Sequence, residues 1–245
     1  MNDVKSARRV IEILRFFSEE RQPAALARIA EALTFPKSSC LALMDTLIAE
    51  GYAYQTAGRY YLTGRWSREA DLVSRHDQLT ARCHASLEQL GATIGETVIT
   101  AKLSGRQVTY LDVIEADRVL RFSAHVGQHK PIHAAASGRA LLGALKPDEA
   151  RQIAATLDYV KLTATTPRSA RALLLKVDEG VQRGWHVNLG DHQADTVSIA
   201  AAGLLDGTPI ALVVGAPRSR VEPHIDRIGK ALRTAMAGLQ SANPS

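Results

Sequence analysis

Cysteine is nearly absent: Cys40 and Cys83 are the only two in 245 residues. That excludes a disulfide framework and makes a reducing compartment the natural home. No stretch approaches the ~20 consecutive apolar residues a membrane helix needs. The opening segment, MNDVKSARRVIEILRFFSEE, has no uninterrupted apolar run of the signal-peptide kind, because Glu12 and Arg15 break it. We therefore expect a soluble, cytoplasmic protein with no membrane partner. Internal repeats and low-complexity segments are also missing. So is a strong charge of one sign: the net charge is +5, with 9 Lys+Arg against 7 Asp+Glu in residues 1–65 and 21 against 18 in the remainder. Such a balance permits an anionic partner without demanding one.

What is present is 46% hydrophobic residues, enough for ordinary packed cores in one large or two smaller domains. The most informative stretch is PKSSCLALMDTLIAEGYAY, Pro36 to Tyr54. Pro36 suits the first helical position, where its missing N–H costs nothing. Cys40, Leu43, Met44, Leu47 and Ile48 fall at helical spacing on one stripe. Lys37, Ser38, Ser39, Ala42 and Asp45 occupy the other edge. Small or basic donors at a helix N-terminus are what a phosphate or a base edge requires. Gly51 closes the helix in the manner of a C′ glycine.

The flanks decide between this reading and an ordinary core helix. Val10, Ile13, Leu14 and Phe17 line one face of a helix over residues 4–18, with Ser6 as its cap. A shorter helix, Ala25 to Leu33, is separated from Pro36 only by Thr34 and Phe35. Two helices joined by so tight a turn give the helix-turn-helix pattern. Tyr52–Gln55 and Arg59–Thr63 flank Thr56-Ala57-Gly58 and predict a hairpin, the wing, with Arg59 near its tip. Arg59 reads equally well as a phosphate contact or as a solvated turn residue.

Residues 66–78 read as a helical linker, thin in apolar surface. Beyond it come an amphipathic helix on Leu79, Cys83, Leu87 and Leu90, then strands at Glu96–Leu103, Gln107–Ile114 and Arg118–Ala124. Helices follow at Ser137–Leu145, from Pro147, and at Ser169–Arg183. Strands at Trp185–Leu189, Val197–Leu204 and Pro209–Gly215 and a closing helix, Glu222–Leu239, complete an α+β domain around one mostly antiparallel sheet. The expected domains are thus 1–65, a linker at 66–78, and 79–245.

Catalytic and metal constellations are weak. His125, His129 and His133 recur every four residues, but Gly127 and Pro131 between them oppose a regular helix, and we expect no metal. His133 is expected to be structural, bonding the loop that leads into Ser137. Ser137-Gly138 is not a nucleophile elbow. Asp112, Glu115 and Asp117 straddle a turn and are expected to be solvated. Cys83 is expected to be a buried small thiol. Ser137 reads evenly as a ligand contact or as a plain helix N-cap. The competing function is a small-molecule enzyme with an accessory winged-helix docking domain, but it needs activated groups that the sequence does not assemble.

In order, AALARIAEALTFPKSSCLALMDTLIAEGYA, VGQHKPIHAAASGRALLGAL and RGWHVNLGDHQADTVSIAAAGLLDGTPIALVVGAP resemble blocks of the IclR family of bacterial transcription regulators. The second carries the family's G-x-x-x-P-x-H-A-x-x-x-G-[KR]-A-x-L signature, and the resemblance spans essentially the whole chain. It implies a homodimer or homotetramer that binds double-stranded operator DNA through Lys37, Ser38, Ser39, Ala42 and Arg59. It implies a GAF/profilin-like C-terminal domain, no catalysis and no cofactor. By the same resemblance, Ala136, Ser137, Asn188 and Ser198 line a pocket for a small-molecule effector, an organic or aromatic acid. The chain departs from the family in several places. Asn188 stands where an acidic residue is common and Ser198 where cysteine is common. Val213 and Gly215 replace paired serines, while Leu41 and Ala42 replace His-Arg. The first three changes imply an effector bulkier or more apolar than a two-carbon acid, with one carboxylate still held. The loss of Arg leaves more of the DNA contact to Lys37, Ser38 and Ser39.

Overall fold

The computed structural model describes residues 4–74 and 77–242. Arg75 and His76, inside the expected linker 66–78, lie outside the described residues, as do the ends of the two expected domains. The chain divides into two compact units, residues 1–77 and 78–245.

In the first unit, α1 (Lys5–Glu20) buries Ile13, Phe16 and Phe17. Val4, not Ser6, holds the N-cap position, and Ser6 is exposed in the first turn. A two-residue strand β1 (Ala24–Ala25) leads into α2 (Leu26–Ala32). Then comes α3 (Lys37–Ala49), with Pro36 at its N-cap, one place earlier than its φ preference alone suggests. The two short helices stop in the same way. Phe35 N–H donates to Ala30 O (2.8 Å) and Thr34 N–H to Glu31 O (3.1 Å) after α2. Tyr52 N–H donates to Leu47 O (2.8 Å) and Gly51 N–H to Ile48 O (2.9 Å) after α3. Both are Schellman closures, which need a left-handed residue. Gly51 supplies it at φ +74°, Thr34 at +56°.

Strands β2 (Ala53–Thr56) and β3 (Arg59–Leu62) form the wing. Ala57 and Gly58 both have positive φ, as a two-residue type I′ hairpin requires. Tyr54 and Tyr61 face each other across the ladder with rings stacked at 4.8 Å. β3 also pairs with β1, so the sheet order is β1-β3-β2, a tie the sequence did not suggest. One apolar cluster joins Ile13, Phe16, Ile29, Cys40, Met44, Leu47 and Tyr60. α4 (Arg65–Ser74) buries nothing, and its first turn is tied down by Trp66 Nε1–H donating to Tyr52 O (3.0 Å).

The second unit is built on a six-stranded antiparallel sheet. Its strands are β4 (Thr97–Ser104), β5 (Gln107–Ile114), β6 (His129–Pro131), β7 (His186–Leu189), β8 (Thr196–Leu205) and β9 (Thr208–Pro217), in the order β6-β5-β4-β9-β8-β7. On one face α5 (Gln78–Ile94) and α10 (Ile225–Ser241) pack over Val98, Ile199, Leu212 and Val214. On the other, α6 (Ala136–Gly143), α7 (Pro147–Ala155) and α8 (Ala170–Arg183) pack over Ile99, Ala200, Ala211 and Val213. Alternation along β8 and β9 sends neighbouring residues into different cores, as it must when both faces are covered.

Two expected elements differ. Arg118–Ala124 is not a strand. Its chain is pinned as a loop by Glu115, whose carboxylate accepts from Ser123 Oγ (2.6 Å), Arg121 Nε (2.8 Å) and Ala124 N–H (2.9 Å). These bonds hold the Glu115 carboxyl at about 2, well below the usual range. The closing helix begins late, because Pro223 cannot donate to a preceding turn. A short α9 (Arg218–Val221) and a 3₁₀ turn (Glu222–His224) precede α10.

Candidate nucleic-acid interface and ligand site

The buried side of α3 carries Cys40, Met44 and Leu47. Lys37, Ser38, Leu41, Ala42, Asp45 and Thr46 are exposed on its other side, and Ser39 is half-buried between them. No side chain caps the helix start, so its first-turn amides point away without a side-chain acceptor. The helix therefore offers a free cation, a hydroxyl and unpaired donors at one end, then a small apolar step at Leu41 and Ala42. Leu41, which stands where the family commonly has histidine, is an exposed member of this face. Arg59 is exposed on the wing, but its Nη1 donates to Pro23 O at 3.2 Å. It thus braces β3 against the turn before α2.

In the second unit the register brings Asn188, Ser198 and Gly215 side by side across β7, β8 and β9, with Thr97 of β4 next in line. Residues directly opposite share a sheet face, here the one covered by α6. Ala136 and Ser137 are buried in the first turn of α6. Ala135 occupies the N-cap position, so Ser137 is not a plain cap. Asn188 is buried and its amide is used at both ends. Nδ2 donates to Ala134 O (2.9 Å), and Oδ1 accepts from Asp191 N–H (2.7 Å). It ties the approach to α6 to the loop after β7, and Ser198 beside it stays half-exposed. A Cβ on Gly215 would lie 2.6 Å from Cδ1 of Phe122, so the missing side chain is what lets the Phe122 ring lie over the strand.

Beneath these residues lies a buried ion pair the sequence did not disclose. Arg139 and Asp191 are each 1% exposed. Arg139 Nη2 donates to Asp191 Oδ2, and Nη1 to Val187 O at 2.6 Å. Thr166 Oγ1 donates to Asp191 O at 2.7 Å, and Lys176 Nζ sits 3.3 Å from Asp191 Oδ2. The loops around Ala136, Asn188 and Thr166 are thereby locked together.

The histidines separate. His125 is exposed, His129 Nδ1 lies 2.9 Å from Thr109 Oγ1, and buried His133 meets Val160 O at 3.0 Å, outside the loop expected to receive it. Among the described residues no three His, Cys, Asp or Glu side chains group as metal ligands. Asp112 and Glu115 are not solvated turn carboxylates. Asp112 Oδ2 is 2.7 Å from His84 Nδ1, which raises the His84 pKa, and Glu115 holds its loop as described. Cys83 is fully buried.

Two known domain models cover this chain. Residues 6–57 match the IclR helix-turn-helix domain, and residues 71–239 match the model described as "Bacterial transcriptional regulator IclR C-terminal". The chain belongs to the IclR family of bacterial transcriptional regulators. Members of the family pair a DNA-binding helix-turn-helix with an effector-binding C-terminal domain, so this chain is a regulator and not an enzyme. It is 32% identical over 197 residues to "Probable transcriptional regulator SauR" of Cupriavidus necator, covering 80% of this chain and 78% of that protein. Its fold is similar to the IclR of Thermotoga maritima, with a TM-score of 0.81 at 18% identity over 96% of this chain and 97% of that one. It is also similar to an IclR homologue of Microbacterium hydrocarbonoxydans crystallised with 4-hydroxybenzoate, with a TM-score of 0.75 at 22% identity over 97% and 98% of the two chains. No helix among the described residues is long and apolar enough to cross a membrane.

Proposed function

We propose that residues 1–65 bind a specific operator, that residues 66–78 link this domain to the rest, and that residues 79–245 take a small organic or aromatic acid that modulates the binding. On the DNA side the contacts are Lys37, Ser38, Ser39, Ala42 and Arg59, joined by Leu41. The uncapped start of α3 and its exposed small residues are the observation that carries this reading. Lys37 and the first-turn amides suit phosphate, while Ala42 and Leu41 suit a thymine methyl. On the effector side Ala136, Ser137, Asn188 and Ser198 form the wall. The apolar surround, with Val213 and the Phe122 ring over Gly215, favours an aromatic or branched acid. The ligand of the Microbacterium hydrocarbonoxydans homologue, 4-hydroxybenzoate, is of that class.

The working form is a homodimer or homotetramer in the cytoplasm, with recognition helices on a two-fold axis and half-sites about 34 Å apart or a multiple of that. A gel shift on the DNA upstream of its own gene tests the reading. Retardation that survives non-specific competitor is expected, and none at any salt concentration would overturn it. Lys37→Ala should weaken binding to every sequence and lower the salt slope by about one. Linkage requires that operator DNA change effector affinity by the same factor as effector changes DNA affinity, which calorimetry can measure.

A further inference from the structure

Lys130 has no role in the family signature or in the contacts described above. It lies on β6 opposite Val108, so its side chain shares the sheet face of the α6 core. It is half-buried, and among the described residues no carboxylate partners it. Its Nζ stands 5.9 Å from the centre of the Phe122 ring, and that ring lies over Gly215, next in register to Ser198. Phe122 itself packs on the same core. His192, half-buried on the loop after β7, completes the surroundings. Burial, then Lys130, then His133 push its pKa down. Burial likewise lowers that of Lys130. Lys130 therefore stands beside an aromatic ring with His192 in its field, and among the described residues neither makes an ion pair.

We propose that Lys130, flanked by His192, receives the carboxylate of the effector, and that Phe122 is the face against which the effector's apolar body stacks. This rests on the reading of residues 79–245 as a domain for small acids and names the group that selects for the acid. A half-desolvated ammonium without a counter-ion is destabilised until an anion arrives, and a charge-assisted hydrogen bond then forms in a low-dielectric setting. Lys130 discriminates charge, whereas Ser137 and Ser198 read the remaining polar groups of the ligand.

The test uses the full chain and the pair benzoate and benzamide, alike in shape and different in charge, followed by calorimetry. Benzoate should bind saturably and benzamide should not. Lys130→Met should weaken benzoate roughly tenfold or more, the worth of one charge-assisted hydrogen bond. Lys130→Arg should restore most of it, and Phe122→Ala should weaken it with the charge in place. In the NMR spectrum, benzoate should raise the titration midpoint of the His192 ring in the wild type but not in Lys130→Met. No benzoate binding, equal binding of benzamide, or undiminished binding by Lys130→Met each overturns the assignment. A gel shift without benzoate separates the two readings. If Lys130→Met retards its upstream DNA as the wild type does yet benzoate ignores the substitution, only the Lys130 assignment fails. If benzoate depends on Lys130 while the wild type retards no DNA, the regulator reading fails and the acid site stands.

Discussion

The two units of this chain are stabilised by different means. Among the described residues, all ten buried polar or charged side chains lie in the second unit, from Glu96 to Asp191, and none in the first. Positive φ in residues other than glycine runs the other way: among the described residues, Arg21, Thr34 and Ala57 belong to the first unit and only Asp206 to the second. The first unit has one apolar cluster and presents its polar groups outward, as a surface for an external polyanion requires. The second takes polar groups inside, where most side chains find a hydrogen-bond partner, Thr100 Oγ1 and His186 Nδ1 being exceptions, and where a small molecule can be recognised away from water. The difference predicts that the two halves break under different insults.

Asp191→Ala should have the largest effect. It leaves the Arg139 guanidinium buried without its carboxylate, and breaking a buried pair this way costs about 3–5 kcal/mol. Arg139→Ala should cost less, because Lys176 Nζ still sits 3.3 Å from Asp191 Oδ2. The paired replacement Arg139→Met with Asp191→Leu should recover much of the loss, since the one charge left without its partner, Lys176, is 37% exposed and can turn to water. Urea unfolding should show the change in the transition of the second unit, with that of the first unmoved. A uniform shift of both would erase the contrast.

Met44→Ala is the matching insult to the first unit. Met44 is fully buried under α3. Truncating such a side chain costs roughly 2–5 kcal/mol through lost burial and the cavity left behind. In so small a core that should unfold the operator-binding half, and DNA retardation should vanish while benzoate binding persists.

Acid should strike the second unit selectively. Burial holds the His186 pKa down at about 4. Its Nε2 lies 3.1 Å from Val177 O, and Gly180 makes room, since a Cβ there would meet the ring at 2.1 Å. In the unfolded chain a histidine titrates near 6.5. Between those values the unfolded state binds the extra proton, so stability falls as pH drops from about 6.5 to 4, by on the order of 3 kcal/mol. His84 runs opposite: its pKa is raised by Asp112, so its contribution is present at low pH and lost as pH rises through the folded value. Denaturant midpoints against pH, in the wild type and in His186→Gln, should show a fall between about pH 6.5 and 4 that the variant lacks. A fall of equal size in both would assign it elsewhere.

The same contrast governs what could be read from sequence. Apolar spacing sufficed for most of the first unit's core. Ile13, Phe17, Ile29, Met44 and Leu47 were visible as stripes, and Gly51 and Gly58 as turns, because an apolar core follows the periodicity rule closely; buried Phe16 and the pairing of β1 with β3 were not visible in that way. The second unit gave up its helices and most strands but not its interior. Asp191 sits in GDHQADT, which has the composition of a solvated loop, and nothing local says that Arg139, 52 residues earlier, meets it. Arg118–Ala124 has strand-like residues, yet Val119 and Leu120 are 102% and 66% exposed, because Glu115 folds the segment back on itself. The even spacing of His125, His129 and His133 drew notice while Lys130 between them did not. Pairing on β6, not helical spacing, decides which of these faces the core.

The smallest effect probes the strain of the first unit. Thr34 and Gly51 occupy equivalent positions, each the left-handed residue that closes a Schellman motif. A side chain with a Cβ pays about 1–2 kcal/mol to sit in that region, and branching at Cβ aggravates it. Glycine removes that penalty but loses more backbone freedom on folding, about 0.5–1 kcal/mol. Thr34→Gly should therefore raise the stability of the first unit by up to roughly 1 kcal/mol, while Gly51→Thr should lower it by a similar amount or more. Both are read as midpoint shifts of the first unit alone. Thr34 is exposed, and its side chain enters no hydrogen bond that the closure needs. Loss of stability in Thr34→Gly would mean that the threonine side chain itself holds the turn between α2 and α3. The angle at which α3 meets DNA would then depend on that side chain, not on the backbone closure.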